Sequence, residues 1–285
     1  MKIAAVIPVR NRPELLQRAV RSIQAQTRKP DEIIIVDDAS TDDTPLVAKE
    51  MAANDARIRV IEQPICLGCG GARNTAWRCS DADWIALLDS DDEWMPEKLE
   101  CQEILLHGDA VAVFTGLRAR TSDYIYIPPQ NVSLFELRCA NVLNTPSSAI
   151  IRRSALEDIG GFDEHIPTCE DWDMWFKLRK VGRIDVVPKP LIFYDRDTGD
   201  NMSRNMNNVL AGHAIVFART LEGTKGFQRL RIKGRHESRI SQIMCDDFRK
   251  PFRGMLHSIK SGLIWPSGHA LNRLRQSITM LNAKH

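Results

Sequence analysis

Two acidic stretches of this chain have the residue types and spacing to do chemistry. In the first, the apolar run Trp84–Leu88 leads straight into Asp89-Ser90-Asp91-Asp92-Glu93. Asp89 and Asp91 stand two apart with small Ser90 between them, and two carboxylates at the carboxyl end of a strand can hold a hard divalent cation against a diphosphate. The same acids could precede a helix opened by Pro96, because carboxylates are favoured before and within a first turn. The second stretch is Glu170-Asp171-Trp172-Asp173. A carboxylate at a helix start can serve as a general base. It could equally cap that helix, with Thr168 and Asp171 forming an approximate capping box. Ahead of both lies Leu67-Gly68-Cys69-Gly70-Gly71-Ala72-Arg73-Asn74. A glycine-rich turn before a helix brings backbone N–H groups close to a phosphate. Counted from Gly68, the third glycine of a dinucleotide fingerprint is replaced by Arg73, which offers a multidentate cation to an anionic oxygen. A tight turn carrying a surface arginine is the plainer reading.

These groups need elements to hold them. Lys2–Val9 and Glu32–Val36 read as buried strands and Ile58–Ile61 as a third, separated by helical patterns. The first helix opens at Pro13 and places Leu15, Leu16, Ala19, Val20 and Ile23 on one face; the second is capped by Ser40 or Thr41. Strand and helix alternating in this way predict an α/β fold with a mainly parallel central sheet flanked by helices. Ligands of open α/β sheets gather outside the carboxyl ends of the strands. Pro8-Val9-Arg10, Asp37-Asp38 and Asp89-Ser90-Asp91 are therefore expected to converge, which favours the metal reading of the first acidic stretch. Further on, the pattern predicts a helix over Pro96–Leu106 and strands over Ala110–Gly116 and Ser147–Ile151, then short strands near Ile184–Val187 and Leu191–Tyr194.

Composition bounds the class. The 285 residues, 43% hydrophobic and 27% charged, suit a globular protein with a sizeable core. The apolar start Ile3–Val9 contains Pro8 and reads as a first strand rather than a leader. Seven scattered cysteines point to a reduced, cytoplasmic compartment, and Cys66-x-x-Cys69 lacks a second pair or a spaced histidine for zinc. The net charge of +2 conceals a balance of −9 over residues 1–200 and +11 over 201–285. A boundary near residue 200 therefore separates an α/β domain (1–95 and 96–200 as its halves) from a basic helical extension. In that extension Phe252, Met255, Leu256, Ile259 and Leu263 follow helical spacing near Arg249, Lys250, Arg253 and Lys260. Such a helix can lie on an anionic membrane or pack on its own domain.

In this order and spacing, Ile7-Pro8-Val9-Arg10-Asn11-Arg12, Ile35-Val36-Asp37-Asp38-Ala39-Ser40-Thr41-Asp42 and Gly71-Ala72-Arg73-Asn74 resemble the donor-binding half of family-2 glycosyltransferases. Ala86–Trp94 looks like that family's D-x-D segment, and Gly160-Gly161-Phe162-Asp163 with Glu170-Asp171 looks like its acceptor-half signatures. The likeness implies the GT-A nucleotide-diphospho-sugar fold and inverting transfer of a hexosyl or N-acetylhexosaminyl group from a nucleoside-diphosphate sugar with a divalent cation, Mg²⁺ or Mn²⁺. It implies that Pro8, Val9 and Arg10 line the nucleotide pocket, that Asp38 binds the base (commonly uracil), and that Arg73 meets the diphosphate. Asp89 would approach the ribose or the metal, Asp91 would be the main metal ligand, and Asp171 the catalytic base. Tyr194-Asp195-Arg196 matches a later motif only loosely and carries no assigned role.

The expected acceptor is a saccharide or lipid-linked saccharide of bacterial surface-polysaccharide synthesis. The expected location is cytoplasmic and peripheral on the inner membrane face, through residues 249–285. Two rivals remain at this level. One is a nucleotidyltransferase of related sheet architecture, against which the absence of a glycine- and lysine-rich N-terminal loop speaks. The other is a non-catalytic nucleotide- or polyanion-binding protein, although no nucleic-acid recognition motif accompanies the basic tail.

Overall fold

The structure, a computed structural model, describes residues 1–195 and 205–282. The chain forms two compact units. The first comprises Met1–Val132, Val142–His165 and Asp173–Gly199, and the second Ser133–Asn141, Ile166–Trp172 and Asp200–His285. The boundary expected at residue 200, and Arg196 of the loosely matching triplet, lie outside the described residues. The helical unit also draws in two segments from well before that boundary.

The first unit is built on one sheet. Strands β1 (Ile3–Val9), β2 (Glu32–Asp37), β3 (Ile58–Glu62) and β4 (Trp84–Leu87) pair in parallel in the order β3-β2-β1-β4. β1 is buried along its whole length, as a central strand covered on both faces must be. Helix α1 (Pro13–Gln24) covers it with Leu16, Ala19, Val20 and Ile23, all fully buried, the three larger side chains contributing about 1.5–3 kcal/mol each. Helices α2 (Thr44–Asn54) and α3 (Gly68–Arg78) complete the alternation.

Beyond β4 the sheet becomes mixed. β5 (Glu93–Trp94), β6 (Ala110–Ala119), β7 (Ile125–Tyr126), β8 (Ile150–Arg152) and β9 (Arg183–Tyr194) extend it, with β8 antiparallel to both β4 and β6. β9 runs parallel to β6 and antiparallel to β5. The two short strands expected near Ile184 and Leu191 are one strand, continuous through Pro188 and Pro190. A register shift against β6 accommodates them, since proline cannot donate to the ladder.

Three local expectations are corrected. The helix expected from Pro96 is α4 (Lys98–Leu106), so Asp89–Asp92 turns into strand β5 rather than into a helix. Its first residue, Lys98, is fully buried against the Trp94 ring at 4.2 Å, and burial holds its amine well below the usual lysine range. Ser40 and Thr41 do not cap α2; the Ser40 hydroxyl accepts from the Asn11 N–H at 2.9 Å and the Thr41 N–H donates to the Asn11 side chain at 2.8 Å. The strand expected from Ser147 begins at Ile150, after a tight 3₁₀ turn over Pro146–Ser148. Helices α5 (Leu134–Cys139), α6 (Arg153–Ile159) and α7 (Glu170–Val181) follow in chain order among these strands.

The second unit is helical. Helix α5 starts at a full capping box between Ser133 and Glu136. It is joined by α8 (Met206–Thr220), α9 (Gly226–Gln242), α10 (Pro251–Ile264) and α11 (Gly268–Asn282), with a π-helical turn over Ile243–Asp247 after α9. Its core is divided among small clusters, one of them Val209, Ile240, Ile243 and Met244 and another Ile166, Trp172 and Val216.

Candidate active site

The carboxyl ends of β2, β1 and β4 carry the groups expected to meet there. Val9 and Asp37 are register partners, and the Asp38 N–H donates to the Val9 carbonyl at 2.8 Å. The loops after both strands place a non-glycine residue in the left-handed region, Asn11 at φ 52° and Ala39 at φ 57°. Such conformations persist where the surrounding contacts impose them. Pro8 and Val9 are buried in β1, while Arg10 is exposed and donates to the Cys66 thiol at 3.0 Å.

Asp38 organises the turn into α3. Its carboxylate accepts the N–H groups of Leu67 at 2.7 Å and Gly68 at 2.9 Å and the Cys66 thiol at 3.1 Å. Gly68 takes φ 75°, a conformation glycine adopts without strain. The neighbouring Asp37 is 2% exposed; one oxygen accepts from the Ser40 N–H at 3.1 Å, and the other finds no donor among the described residues. That oxygen was not singled out by sequence, and its burial without a partner is a cost that a ligand donor would relieve.

The D-x-D turn is held by arginines. Arg73, 3% exposed on α3, donates to Asp89 at 2.6 Å, and its guanidinium lies 5.2 Å from the centre of the Phe162 ring. It is thus a buried partner of the acidic turn rather than the exposed surface arginine of the plainer reading. Phe162 is fixed in turn by Asn74, whose side chain donates to the Phe162 carbonyl at 2.8 Å and accepts from its N–H at 2.9 Å. A Cβ on Gly161 would lie 2.4 Å from the Asn74 oxygen, so glycine is required for that approach.

Arg12 meets the Asp91 carboxylate at 2.9 Å, and Arg18 donates to the Asp91 carbonyl at 2.6 Å. Arg18 also pairs with Glu93 at 2.9 Å and Asp195 at 3.3 Å, and Arg120 joins the same two acids. Burial beside the Arg18 charge lowers the Arg120 pKa. Four guanidinium groups therefore balance a concentration of carboxylates that would otherwise repel one another.

Asp92 belongs to this cluster and not to a helix entry. It is 1% exposed and accepts from Ser147 Oγ at 2.6 Å, Thr145 Oγ1 at 3.3 Å and the Asp195 N–H at 3.1 Å. Burial, with the Asp91 and Asp89 charges adding to it, pushes its carboxyl well above the usual range. Ser147 Oγ accepts in turn from the Asp89 N–H at 3.0 Å. Arg12, Arg18, Asp92 and Ser147 all escaped the sequence reading as site groups. Arg12 had a signal, being two residues after Arg10 and just before Pro13, but Ser147 lies 58 residues from Asp89 and had none.

Asp171 lies in the second unit, within the first turn of α7. Its carboxylate accepts from the Trp172 N–H at 2.7 Å and from the Asn141 side chain at 2.7 Å. Thr168 does not act as its capping partner; the Thr168 hydroxyl donates to the Asn208 carbonyl at 2.9 Å. Cys169, two residues before Asp171, takes φ 66°.

The model for glycosyl transferase family 2 matches residues 4–160. The chain belongs to that family. It is a glycosyltransferase, and neither the nucleotidyltransferase nor the non-catalytic reading stands. Among its relatives, the Escherichia coli UDP-Glc:alpha-D-GlcNAc-diphosphoundecaprenol beta-1,3-glucosyltransferase WfaP is 39% identical over 63% of this chain and 71% of that protein. A chondroitin synthase of Pasteurella multocida is 31% identical over 77% of this chain but only 23% of its own length, so this glycosyltransferase spans a small part of that enzyme. Of solved structures, Staphylococcus aureus TarS 1-349 with UDP-GlcNAc superposes at TM-score 0.72, covering 100% of this chain and 93% of that one at 17% identity. The Pyrobaculum calidifontis mannosyltransferase with GDP-Man and Mn²⁺ superposes at TM-score 0.58, over 99% and 74% at 19% identity. The glycosyltransferase therefore has the expected α/β, GT-A-type fold.

Proposed function

We propose that this enzyme moves a sugar from a UDP-sugar to a saccharide or lipid-linked saccharide, with inversion and with help from a divalent cation, in bacterial surface-polysaccharide synthesis. The observation that carries it is the arginine-braced acidic turn, Arg73–Asp89 and Arg12–Asp91, at the strand ends of a family-2 chain. The donor nucleotide and the acceptor class rest on WfaP, whose name gives UDP-Glc and a diphosphoundecaprenol-linked GlcNAc.

The donor set suits a hard cation. Asp91 and Asp89 offer carboxylate oxygens, and among the described residues no group of three or more His, Cys, Asp and Glu could cage a metal ion. A site with so few protein ligands fits Mg²⁺ or Mn²⁺ completed by diphosphate oxygens and water. Asp91 would be the main ligand and Asp89 the second or a ribose contact; when bound, the cation supplies positive charge against the departing diphosphate. Pro8, Val9, Arg10 and Asp38 line the nucleotide side in this reading, and Arg73 adds fixed positive charge beside Asp89. Asp171 accepts the proton of the attacking acceptor hydroxyl. General-base action is worth about 10²–10⁴-fold. Asp171→Asn is therefore expected to bind UDP-sugar as the wild type does and to lose transfer by roughly that factor. Normal transfer by the folded variant would remove Asp171 from this role.

A further inference from the structure

Helix α10 is turned the opposite way from an ordinary surface helix. It buries Pro251, Gly254, Ser258 and Ser261. The Ser258 hydroxyl meets that of Ser241 at 2.6 Å, and Ser261 donates to the Gly234 carbonyl at 2.7 Å. A Cβ at Gly254 would stand 2.3 Å from Cys245 Sγ, so the contact with its neighbours depends on small residues. The large residues point away from it. Phe252 is 59% exposed, Leu256 52%, Ile259 42% and Leu263 81%.

At about 100° per residue these four form one stripe, centred roughly 150° around the helix from the buried face. Helix α11 adds Leu271, 59% exposed, and Ile278, 42% exposed. The formal side-chain charge of the segment itself has one sign. Residues 248–285 contain seven Lys and Arg and no Asp or Glu. Arg253 and Lys260 are exposed beside the stripe, and Arg249, Lys250 and Arg275 are exposed elsewhere on the segment. Among the described side chains, acids paired with these elements are Glu237, with Lys260, and Asp246, 3.6 Å from Arg273.

We propose that the exposed face of α10 docks on an anionic lipid bilayer, lying in the interface without crossing it. An apolar stripe flanked by cations matches acyl chains below a layer of negative headgroups. A second copy of this chain would set the same cations against one another. At 14 residues α10 is too short to span, and no described helix is long and apolar enough to cross a membrane. Each Lys or Arg near such a surface raises partitioning by about fivefold, and each buried leucine by about tenfold to a hundredfold.

The test is co-sedimentation of the full chain, without donor or acceptor, with vesicles of phosphatidylcholine alone or mixed equally with phosphatidylglycerol. Sedimentation velocity runs alongside. Wild type is expected to pellet with the mixed vesicles, less so in high salt. Leu256→Glu with Leu263→Glu, at exposed positions where the fold should hold, is expected to reduce partitioning by at least about tenfold per leucine. Arg253→Glu should weaken binding to the mixed vesicles more than any residual binding to neutral ones. Wild type left in the supernatant overturns the proposal, as does equal pelleting of wild type and the double variant. Self-association that the double variant disperses, without vesicle binding, assigns the face to a second copy instead.

Discussion

The two units bury polar groups under opposite rules. In the strand-rich unit, the acidic turn is matched by cations and donors: Asp89 faces Arg73, Asp91 faces Arg12, and buried Asp92, its carboxyl pushed up by burial, accepts from three donors. In the helical unit, two buried histidines are instead held neutral. His213 and His236 are buried with Trp172 and Phe217, and His236 stacks on Phe217 with ring centres 3.6 Å apart. Burial lowers the pKa of His213 to about 3 and that of His236 to about 4. One unit gathers carboxylates and guanidinium groups at the carboxyl ends of its strands; the other buries neutral groups and, on α10, leaves large apolar side chains outside.

The sharpest way to break this comparison is at the acidic turn. Asp91→Ala should abolish the metal-dependent part of UDP-sugar binding, an effect of about 10–100-fold or more, given that even outer partners of a metal site are worth that much. Calorimetry with and without Mn²⁺ reads it directly, and equal affinities for variant and wild type would remove Asp91 as a ligand.

A smaller effect is expected one contact further out. Ser147→Ala deletes the hydroxyl that joins Asp92 to the Asp89 N–H, removing that N–H's acceptor and one of three donors to Asp92, at about 1–3 kcal/mol. Donor affinity should weaken by about tenfold, while Ser147→Thr retains much of it. A loss of thermal stability with donor affinity unchanged would mean that the network is structural only.

The smallest effect concerns the helical unit. Its two buried histidines, His213 and His236, stay neutral when folded, whereas the unfolded chain takes up their protons as pH falls through about 6.5. Stability should therefore fall with acidification from about pH 6.5 towards the folded values of about 4 and about 3, and show no dependence on these groups above that range. The slope is at most about 1.4 kcal/mol per pH unit per histidine. His213→Asn should reduce the dependence of the unfolding temperature on pH between 7 and 5. An unchanged slope would place the acid sensitivity elsewhere.

Much of the first unit was legible because its signals are local. The isoleucine-rich strands, the proline-opened α1 and the acidic residues at strand ends all lie within a few residues of the features they define. Local signals failed wherever two explanations shared a pattern. Asp89–Asp92 matched both a metal turn and a helix entry, and only the position of β5 removed the second. The apolar spacing of α10 was visible, but which face it buries was not, because Gly254, Ser258 and Ser261 carry the same period on the other side.

The sequence by itself determined the α/β alternation, the family and the convergence of β1, β2 and β4 at one edge, since period and strand-end chemistry follow from neighbouring residues. Only the tertiary structure decided how the acidic turn is braced. The partners of Asp89, Asp91 and Asp92 come from α1, α3, the 145–147 turn and the end of β9, up to 103 residues away. Chain periodicity carries no record of such pairs. They exist because burying several carboxylates together is tolerable only where the fold delivers cations and donors to the same place.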